Sequence, residues 1–362
     1  MKTKTKSSIA VLVVALGLMG LLAACSQQKT GPSTSGTITI NETGSSLLYP
    51  LFNLWVPVYT QANPNIKIST ASTGSGTGIS QAVSGIVQIG ASDAYMSDAQ
   101  MKQHPDMLNI PLAISMQMVN YNLPHLNKDH LKLSGPVLAS IYEGKIKKWD
   151  DPAIRKLNPG VHLPNHSIIP VHRSDGSGDT FIFTQYLSFS TPAWNKSVGY
   201  GTTVSWPPVS GGLGAQGNPG MVTAVTDNPY SIAYIGTSYQ NAIEKNNLGM
   251  AMLENKDGKF VLPSSKTAEA AASVMVPKTP KDQRLSLIFA PGPDSYPIIN
   301  YEYALVSSKQ PSADMAAALR KFFTWAISPT GGNAPHFMEE VHFVPLPAPV
   351  AKLSAAQIAE IK

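Results

Sequence analysis

The 362-residue chain has one cysteine, Cys25, and only 14% charged residues. A single cysteine excludes an intrachain disulfide. Beyond the first 25 residues no stretch approaches about 20 consecutive apolar residues, so we expect no membrane-spanning segment in the mature chain. No basic cluster is interleaved with aromatic residues, which gives nucleic-acid binding no support. The sequence also contains no internal repeat.

Motifs typical of several enzyme classes are missing. The histidines do not have metal-ligand spacing, which argues against a metal-dependent phosphatase. The glycine-rich residues 74–78 lack both the Rossmann spacing and the Gly-Lys-Ser/Thr ending of a Walker motif. Ser177 and His172 suggest a nucleophile and a base, but nothing around them resembles a nucleophile elbow or a triad signature. We therefore expect a protein that is not an enzyme and that uses no cofactor and no metal.

The amino terminus is typical of an exported protein. Three lysines precede an apolar run over residues 9–22, which predicts a signal peptide over residues 1–24. The sequence Leu-Ala-Ala-Cys ending at Cys25 resembles a bacterial lipobox, which implies acylation of that cysteine, palmitate included, and a membrane anchor. A spare cysteine in an ordinary secretory signal is the alternative. Residues 25–36 are small and polar and predict a flexible tether. We expect a cell-envelope location, on the outer side of the cytoplasmic membrane or in the periplasm.

The rest of the chain has enough apolar sequence for a large core, since 43% of residues are hydrophobic, and its length favours two lobes. Strand and helix patterns alternate, which predicts an α/β fold. The predicted elements are a strand over 37–41, a helix to 59, strands over 66–71 and 87–92 around a helix to 84, helices over 137–142 and 180–187, strands over 168–172, 231–235 and 296–306, and a helix over 315–326. A Gly/Pro-rich loop is expected over residues 205–220.

Three short Ser/Gly turns each precede an apolar helical pattern. They cover residues 43–46, 73–78 and 175–180. A helix start leaves N–H groups unpaired and carries partial positive charge, so three such turns could surround one anion. The same residues are also common in ordinary helix capping, and for any single turn capping is the simpler interpretation.

Two further residues favour an oxyanion site. Arg173 follows an apolar strand pattern and supplies a planar fork of donors that matches an oxyanion. Asp93 stands where the strand over 87–92 runs into a loop, a position at which aspartate is often only a turn residue. An aspartate among anion-binding groups is expected to accept a proton carried by the ligand.

Six motifs in order resemble the PstS family, the phosphate-binding proteins of phosphate-specific ABC importers. They lie at residues 43–46, 74–76, 90–94, 144–152, 172–178 and 232–236, and the likeness spans about residues 37–350. It implies a type II periplasmic-binding-protein fold, with two α/β lobes joined by two crossing strands and a ligand cleft between them. The implied lobes are 37–117 with 297–362, and 118–296, with crossings near 115–120 and 293–300.

The resemblance also implies a set of phosphate-binding residues. They are Ser45, Ser46, Leu47, Ser75, Asp93, Arg173, Ser177, Gly178 and Asp179. The first loop aligns backward from Trp55 with Ser46 at the hydroxyl position, whereas a forward alignment places Leu48 there. Family members commonly carry threonine where this chain has Asp179, so a second carboxylate is expected to face the ligand and to favour more protonated phosphate.

The function implied is high-affinity binding of inorganic phosphate outside the cytoplasmic membrane and delivery to the permease subunits of an ABC importer, by a monomer held at the membrane through its lipid anchor. Phosphate keeps at least one proton near neutral pH, and Asp93 would accept it. Fully ionised sulfate has no such proton. The alternatives are a receptor for sulfate, molybdate or a phosphonate, and a surface lipoprotein used for adhesion.

Overall fold

The computed structural model of the protein describes residues 36–362. The predicted signal peptide over 1–24, the lipidation site Cys25 and all but the last residue of the predicted tether lie outside the described residues. Residues 37–362 form one compact unit. None of the helices over 36–362 has the length and apolar character needed to cross a bilayer.

Twelve strands are found in this region. They are β1 (Ile38–Gly44), β2 (Ile66–Ser69), β3 (Ile89–Ser92), β4 (Met107–Tyr121), β5 (Lys132–Leu133), β6 (Ile169–Arg173), β7 (Leu213–Ala215), β8 (Ser231–Gly236), β9 (Gly249–Met250), β10 (Met252–Glu254), β11 (Phe260–Val261) and β12 (Ile299–Ser307).

Thirteen α-helices accompany them, together with two 3₁₀ turns at Thr237–Tyr239 and Val276–Lys278. The helices are α1 (Tyr49–Ala62), α2 (Ser75–Val83), α3 (Asp98–Gln103), α4 (Gly135–Tyr142), α5 (Pro152–Leu157), α6 (Gly178–Ser190), α7 (Pro192–Ser197), α8 (Gly217–Asp227), α9 (Gln240–Lys245), α10 (Ser265–Met275), α11 (Ala313–Ala326), α12 (Pro335–Glu340) and α13 (Ala348–Ala359).

The main sheet has the order β2-β1-β3-β12-β4-β8-β6-β7, with β9 added beside β4. Strands β1, β2 and β3 pair in parallel, as do β6, β7 and β8, whereas β12 and β4 are antiparallel to their neighbours. Carboxyl ends of parallel strands meet at one edge of a sheet, where ligands bind in open α/β folds. The ends of β1 and β3 therefore lie together, and so do those of β6 and β8.

Strand β4 connects the two groups of strands. It pairs with β12 as far as Met116 and with β8 from Gln117 onward. This change of partner lies within the crossing expected near 115–120, and the expected mixed α/β fold with crossing strands is confirmed. The lobe boundaries proposed from the resemblance stay a prediction. All fifteen residues of β4 are buried, as expected for a central strand covered on both faces.

A bulge interrupts the pairing of β4 with β12. Glu302 lies opposite Ala113 and Tyr303 opposite Pro111, so Leu112 is the extra residue. Proline cannot donate to a ladder and is tolerated in central strands only at such bulges. The freed carbonyl of Leu112 accepts a hydrogen bond from the side chain of Asn333 at 2.8 Å, so the irregularity leaves this buried acceptor paired.

One sequence expectation is wrong. Residues 205–220 are not a continuous loop, because β7 forms over Leu213–Ala215 and α8 begins at Gly217. Glycine and proline in this stretch suggested a loop, but Pro219 lies in the first turn of α8, where no intrahelical partner is needed for its missing N–H. The other predicted strands and helices are present with shifts of a few residues at their ends.

Candidate anion-binding site

The predicted site residues lie at strand ends and helix starts. Ser45 directly follows β1, Asp93 follows β3, and Arg173 is the last residue of β6. The other two turns begin α2 and α6. Each of the nine predicted residues is buried, and those with side chains are at most 3% exposed. The fold therefore brings together residues from four separate parts of the sequence.

Asp93 is the centre of the first group of contacts. Its carboxylate accepts hydrogen bonds from the hydroxyl of Ser45 and, at 3.4 Å, from the hydroxyl of Ser75. Its backbone N–H donates in turn to Ser75 Oγ at 3.2 Å. A Cβ added to Gly178 would stand 2.6 Å from Asp93 Cβ and 2.6 Å from Ser75 Oγ. Glycine is thus needed at the start of α6 for that helix to approach β3 and α2.

Arg173 is the centre of the second group. Asp175 binds one edge of the guanidinium, from Nε to Oδ1 at 2.7 Å and from Nη2 to Oδ2 at 2.5 Å. The remaining terminal nitrogen, Nη1, donates to Asp179 Oδ2 at 2.5 Å. The fork–fork pair with Asp175 fixes the orientation of the guanidinium. The remaining edge of the guanidinium is directed to Asp179.

The structure adds two residues that sequence reasoning missed. Gln117 Nε2 donates to Asp179 Oδ1 at 3.0 Å, and Asn218 Nδ2 donates to Asp179 Oδ2 at 2.8 Å. Asn218 also donates to Ser46 Oγ from its backbone N–H and its side chain, both at 3.0 Å. Three donors therefore converge on the Asp179 carboxylate, and Ser46 joins the same network. A polar residue in a mostly apolar strand was the available signal for Gln117.

The second turn contacts both of the others, since Gly74 N–H donates to Gly44 O at 2.7 Å, and the third turn caps a helix. Gly76 N–H, in the second turn, donates to Gly176 O, in the third turn, at 2.9 Å. Ser177 Oγ accepts from Thr180 N at 3.2 Å and caps α6, while Ser45 Oγ accepts from the N–H groups of Leu47 at 3.1 Å and of Leu48 at 3.0 Å. Side-chain capping is therefore realised in the third turn, whereas the N-cap of α1, Leu48, has no side-chain cap bond.

His172 and Ser177 are not paired in the way a base and a nucleophile would be. The His172 ring bonds through Nδ1 to the carbonyl of Arg173 at 3.0 Å and stacks on Trp206 with ring centroids 4.9 Å apart. The Ser177 hydroxyl is used in the helix cap. The geometry gives the enzyme interpretation no support.

Burial and charge shift the acidic groups in different directions. Burial raises the pKa of Asp179 to about 7, with repulsion from Asp93 adding to it and Arg173, Asn218 and Gln117 opposing it. Burial likewise raises the pKa of Asp93, against hydrogen bonds and the charge of Arg173. For Asp175 burial is outweighed by the hydrogen bond and charge of Arg173, which lower its pKa. Asp175 is thus the permanent counter-ion of Arg173, while Asp179 titrates near neutral pH.

The arrangement suits an anion that carries a proton. Arg173 offers positive charge, and Gly178 and Asp179 are the first residues of α6, so their N–H groups have no intrahelical acceptor. A carboxylate such as that of Asp93 can only accept hydrogen bonds, which a bare anion cannot supply. Among residues 36–362 no group of three or more His, Cys, Asp or Glu side chains is placed to hold a metal ion.

Comparison with known proteins identifies the family. Residues 27–330 match the model of the PBP superfamily domain. The phosphate-binding protein PstS of Methanocaldococcus jannaschii is 36% identical over 372 residues, covering 98% of this chain and 94% of that protein. The same-named protein of Pasteurella multocida is 38% identical over 324 residues, covering 90% and 91%. A solved phosphate-binding protein from Stenotrophomonas maltophilia shares the fold, with a TM-score of 0.69 at 18% identity, covering 88% of this chain and 93% of its own. The chain belongs to the PstS family of phosphate-binding proteins.

Proposed function

We propose that the protein binds inorganic phosphate at this site with high affinity, outside the cytoplasmic membrane, and delivers it to the permease subunits of an ABC importer. The observation that carries the proposal is the convergence of Arg173, Asp93 and the start of α6 in one buried cluster. Relatives over 90% or more of the chain are named for phosphate binding, which supports the same ligand. A binding protein, rather than an enzyme, is the role that this geometry favours.

Arg173 would supply the full positive charge for the phosphate oxygens, and the N–H groups of the helix starts would supply partial charge. Ser45, Ser46, Leu47, Ser75, Ser177, Gly178 and Asp179 would complete the site. Because Asp93 and Arg173, the centres of the two groups of contacts, are both buried, the anion would be bound without surrounding water. Electrostatic interactions are strengthened in such a site.

Asp93 would discriminate phosphate from sulfate. Monobasic and dibasic phosphate each carry an O–H that can donate to Asp93, whereas ionised sulfate would place an oxygen against the carboxylate. An unpaired buried polar group costs about 1–3 kcal/mol and more for a charged one. A site that hydrogen-bonds a ligand O–H can reject analogues that lack it by roughly 10⁴-fold or more.

Two further parts of the proposal concern location and transport. Acylation of Cys25, with palmitate among the acyl groups, would hold the monomer at the membrane after removal of residues 1–24, and residues 25–36 would act as the tether. Phosphate would favour closure of the lobes 37–117 with 297–362 upon 118–296. A ligand shifts such an equilibrium only by its preference for the closed state, and the closed state is the form that a permease would recognise.

Calorimetric titration of the full chain, freed of bound anion, tests the ligand. Phosphate should bind tightly at pH 6 to 8 and sulfate should give no heat of binding. Sulfate or molybdate binding of similar strength would indicate a different oxyanion receptor. No binding of any oxyanion would exclude the transport role and favour a surface lipoprotein used for adhesion.

A further inference from the structure

Glu302 is a buried acid next to the site that the proposed binding mechanism does not use. It lies in the middle of β12, between Tyr301 and Tyr303, and is 0% exposed. An acid is almost never fully buried unless it has a partner. The partner in this case is another carboxyl group.

The strand register brings Glu302 to Asp93. Strands β12 and β3 are antiparallel, with Tyr303 opposite Ser92 and Ala304 opposite Ala91. Continued one residue past the end of β3, this register places Glu302 opposite Asp93, and residues directly opposite have Cβ atoms about 4.5–5.5 Å apart. The two carboxyl groups are close enough for each to shift the pKa of the other. The side chain of Asn300, two residues earlier on β12, donates to the carbonyl of Asp93 and fixes the same junction.

A hydrogen bond between two carboxyl groups requires a proton, because two carboxylates side by side cannot both remain ionised. The donors around each group show which one holds it. Asp93 accepts from Ser45 and Ser75 and feels the charge of Arg173. Glu302 receives one donor, Ser115 Oγ, at 2.5 Å from Oε1, and its Oε2 meets no donor within residues 36–362.

The other charged groups around the pair favour the same assignment. Asp93 and Asp179 both repel a negative charge on Glu302, and burial is the largest cause of its raised pKa. Arg173, the cation of the cluster, is taken up by Asp175 and Asp179 and acts on Asp93. The proton is therefore held by Glu302 and the negative charge by Asp93.

We propose that Glu302 is a protonated positioning residue, which donates its O–H to Asp93 and holds that carboxylate ionised and oriented as the acceptor for the phosphate O–H. The proposal rests on phosphate being the ligand. An ionised carboxylate has about four acceptor positions. Ser45, Ser75 and Glu302 fill three of them, which leaves one for a single O–H of the ligand.

Two substitutions separate donation from charge. In Glu302→Gln the amide N–H still donates to Asp93 and the amide oxygen still accepts from Ser115. We expect phosphate affinity within about threefold of wild type at pH 7. Glu302→Met keeps the volume but removes the donor, and it should weaken binding about 10- to 100-fold, the value of one hydrogen bond to a charged group. Glu42→Met removes another buried acid (2% exposed) and is the matched control, with affinity within about threefold of wild type.

Difference infrared spectroscopy of wild type against Glu302→Gln reads the proton directly. Loss of a protonated carboxyl band at pH 7 is expected, and near-ultraviolet circular dichroism checks that each variant is folded. Loss of an ionised carboxylate band would overturn the proposal. Phosphate binding by Glu302→Gln that is tenfold or more tighter than wild type would overturn it too. Such a gain would mean that Glu302 is ionised in wild type and that removing its negative charge strengthens anion binding.

Wild-type affinity in a folded Glu302→Met variant would overturn it as well. Failure of the proposed function looks different from any of these outcomes. In that case wild type itself gives no phosphate binding, and the infrared spectrum still decides which group holds the proton.

Discussion

Replacing Asp179 by asparagine tests how the second carboxylate controls phosphate binding. When ionised, Asp179 takes the donor Nη1 of Arg173 that an anion would use, and it adds negative charge beside the ligand. Its pKa is raised to about 7, chiefly by burial. Below this pH the carboxyl group is protonated and can donate to phosphate, and above it the carboxylate competes with phosphate. We therefore expect phosphate affinity to have its full value at low pH, where Asp179 is protonated, and to fall as pH rises through about 7.

The size of the effect follows from proton linkage. If phosphate binds the form with Asp179 protonated, ionisation weakens binding by the factor 1 + 10^(pH − pKa). For a pKa of about 7, the factor is about 1.1 at pH 6, about 11 at pH 8 and about 30 at pH 8.5. Asp179→Asn cannot ionise, so the ratio of the wild-type Kd to the variant Kd should follow these values. Taking the ratio cancels the ionisation of phosphate itself.

The local structure should accept the substitution. Gln117 now donates to Asp179, and its own Oε1 has no hydrogen-bond partner within residues 36–362. A flip of the Gln117 amide would present that oxygen to the new amide N–H of residue 179. Asp179→Thr serves as a second neutral variant, and the ratio of the wild-type Kd to its Kd should rise with pH through the same values.

Calorimetric titration at fixed ionic strength from pH 6 to pH 8.5 measures the two Kd profiles. Fluorescence of Trp206, which stacks on His172 beside Arg173, gives an independent signal. Parallel profiles of wild type and Asp179→Asn would refute the reasoning, since Asp179 would then not titrate against the ligand. A wild-type Kd that falls relative to the variant Kd as pH rises would show that ionised Asp179 favours phosphate binding, the opposite of the expected effect.

Three other predictions concern single residues. Arg173→Ala should raise the phosphate Kd at least about 100-fold, since two or more charge-assisted hydrogen bonds are lost, with Arg173→Lys intermediate; near-normal calorimetric affinity would exclude Arg173 from the site. Burial raises the pKa of Glu42 to about 8 from 4.5, so wild type should lose stability between those pH values relative to Glu42→Gln, by about 3 kcal/mol from pH 5 to 7.5; equal slopes in chemical unfolding would contradict this. Cys25→Ser should move the protein from the membrane fraction to the soluble fraction, and retention on membranes would refute lipidation.

The helix starts and strand ends of the site could be predicted because their signals are local. Caps, glycines and short apolar runs around Ser45, Ser75 and Ser177 depend on a few adjacent residues. Arg173 and Asp93 each stand directly after such a run. The resemblance then placed these separate turns in one site, which spacing alone could not do.

Other contacts depend on strand register, which no local pattern specifies. Gln117 reaches Asp179 across 62 residues of sequence and Asn218 reaches it across 39. Glu302 meets Asp93 only because β12 pairs with β3 in one particular register, and a shift of one residue would place its side chain on the opposite face. A polar residue in a mostly apolar strand is a visible signal for both Gln117 and Glu302, but it does not reveal the partner.

The buried groups have more acidic than basic members, and this imbalance explains why protons matter to binding. Asp175 and Asp179 bind Arg173, Asp93 is within range of its charge, and Glu302 acts on Asp93; a bound phosphate would add further negative charge. Asp175 is matched by Arg173, so the remaining carboxyl groups must share protons with the ligand. A proton on Glu302, one on Asp179 and one on phosphate would leave Asp93 as the one ionised acceptor facing the anion. Sulfate brings no proton to this arrangement, and rejecting it requires no steric barrier, only a site that is already short of protons.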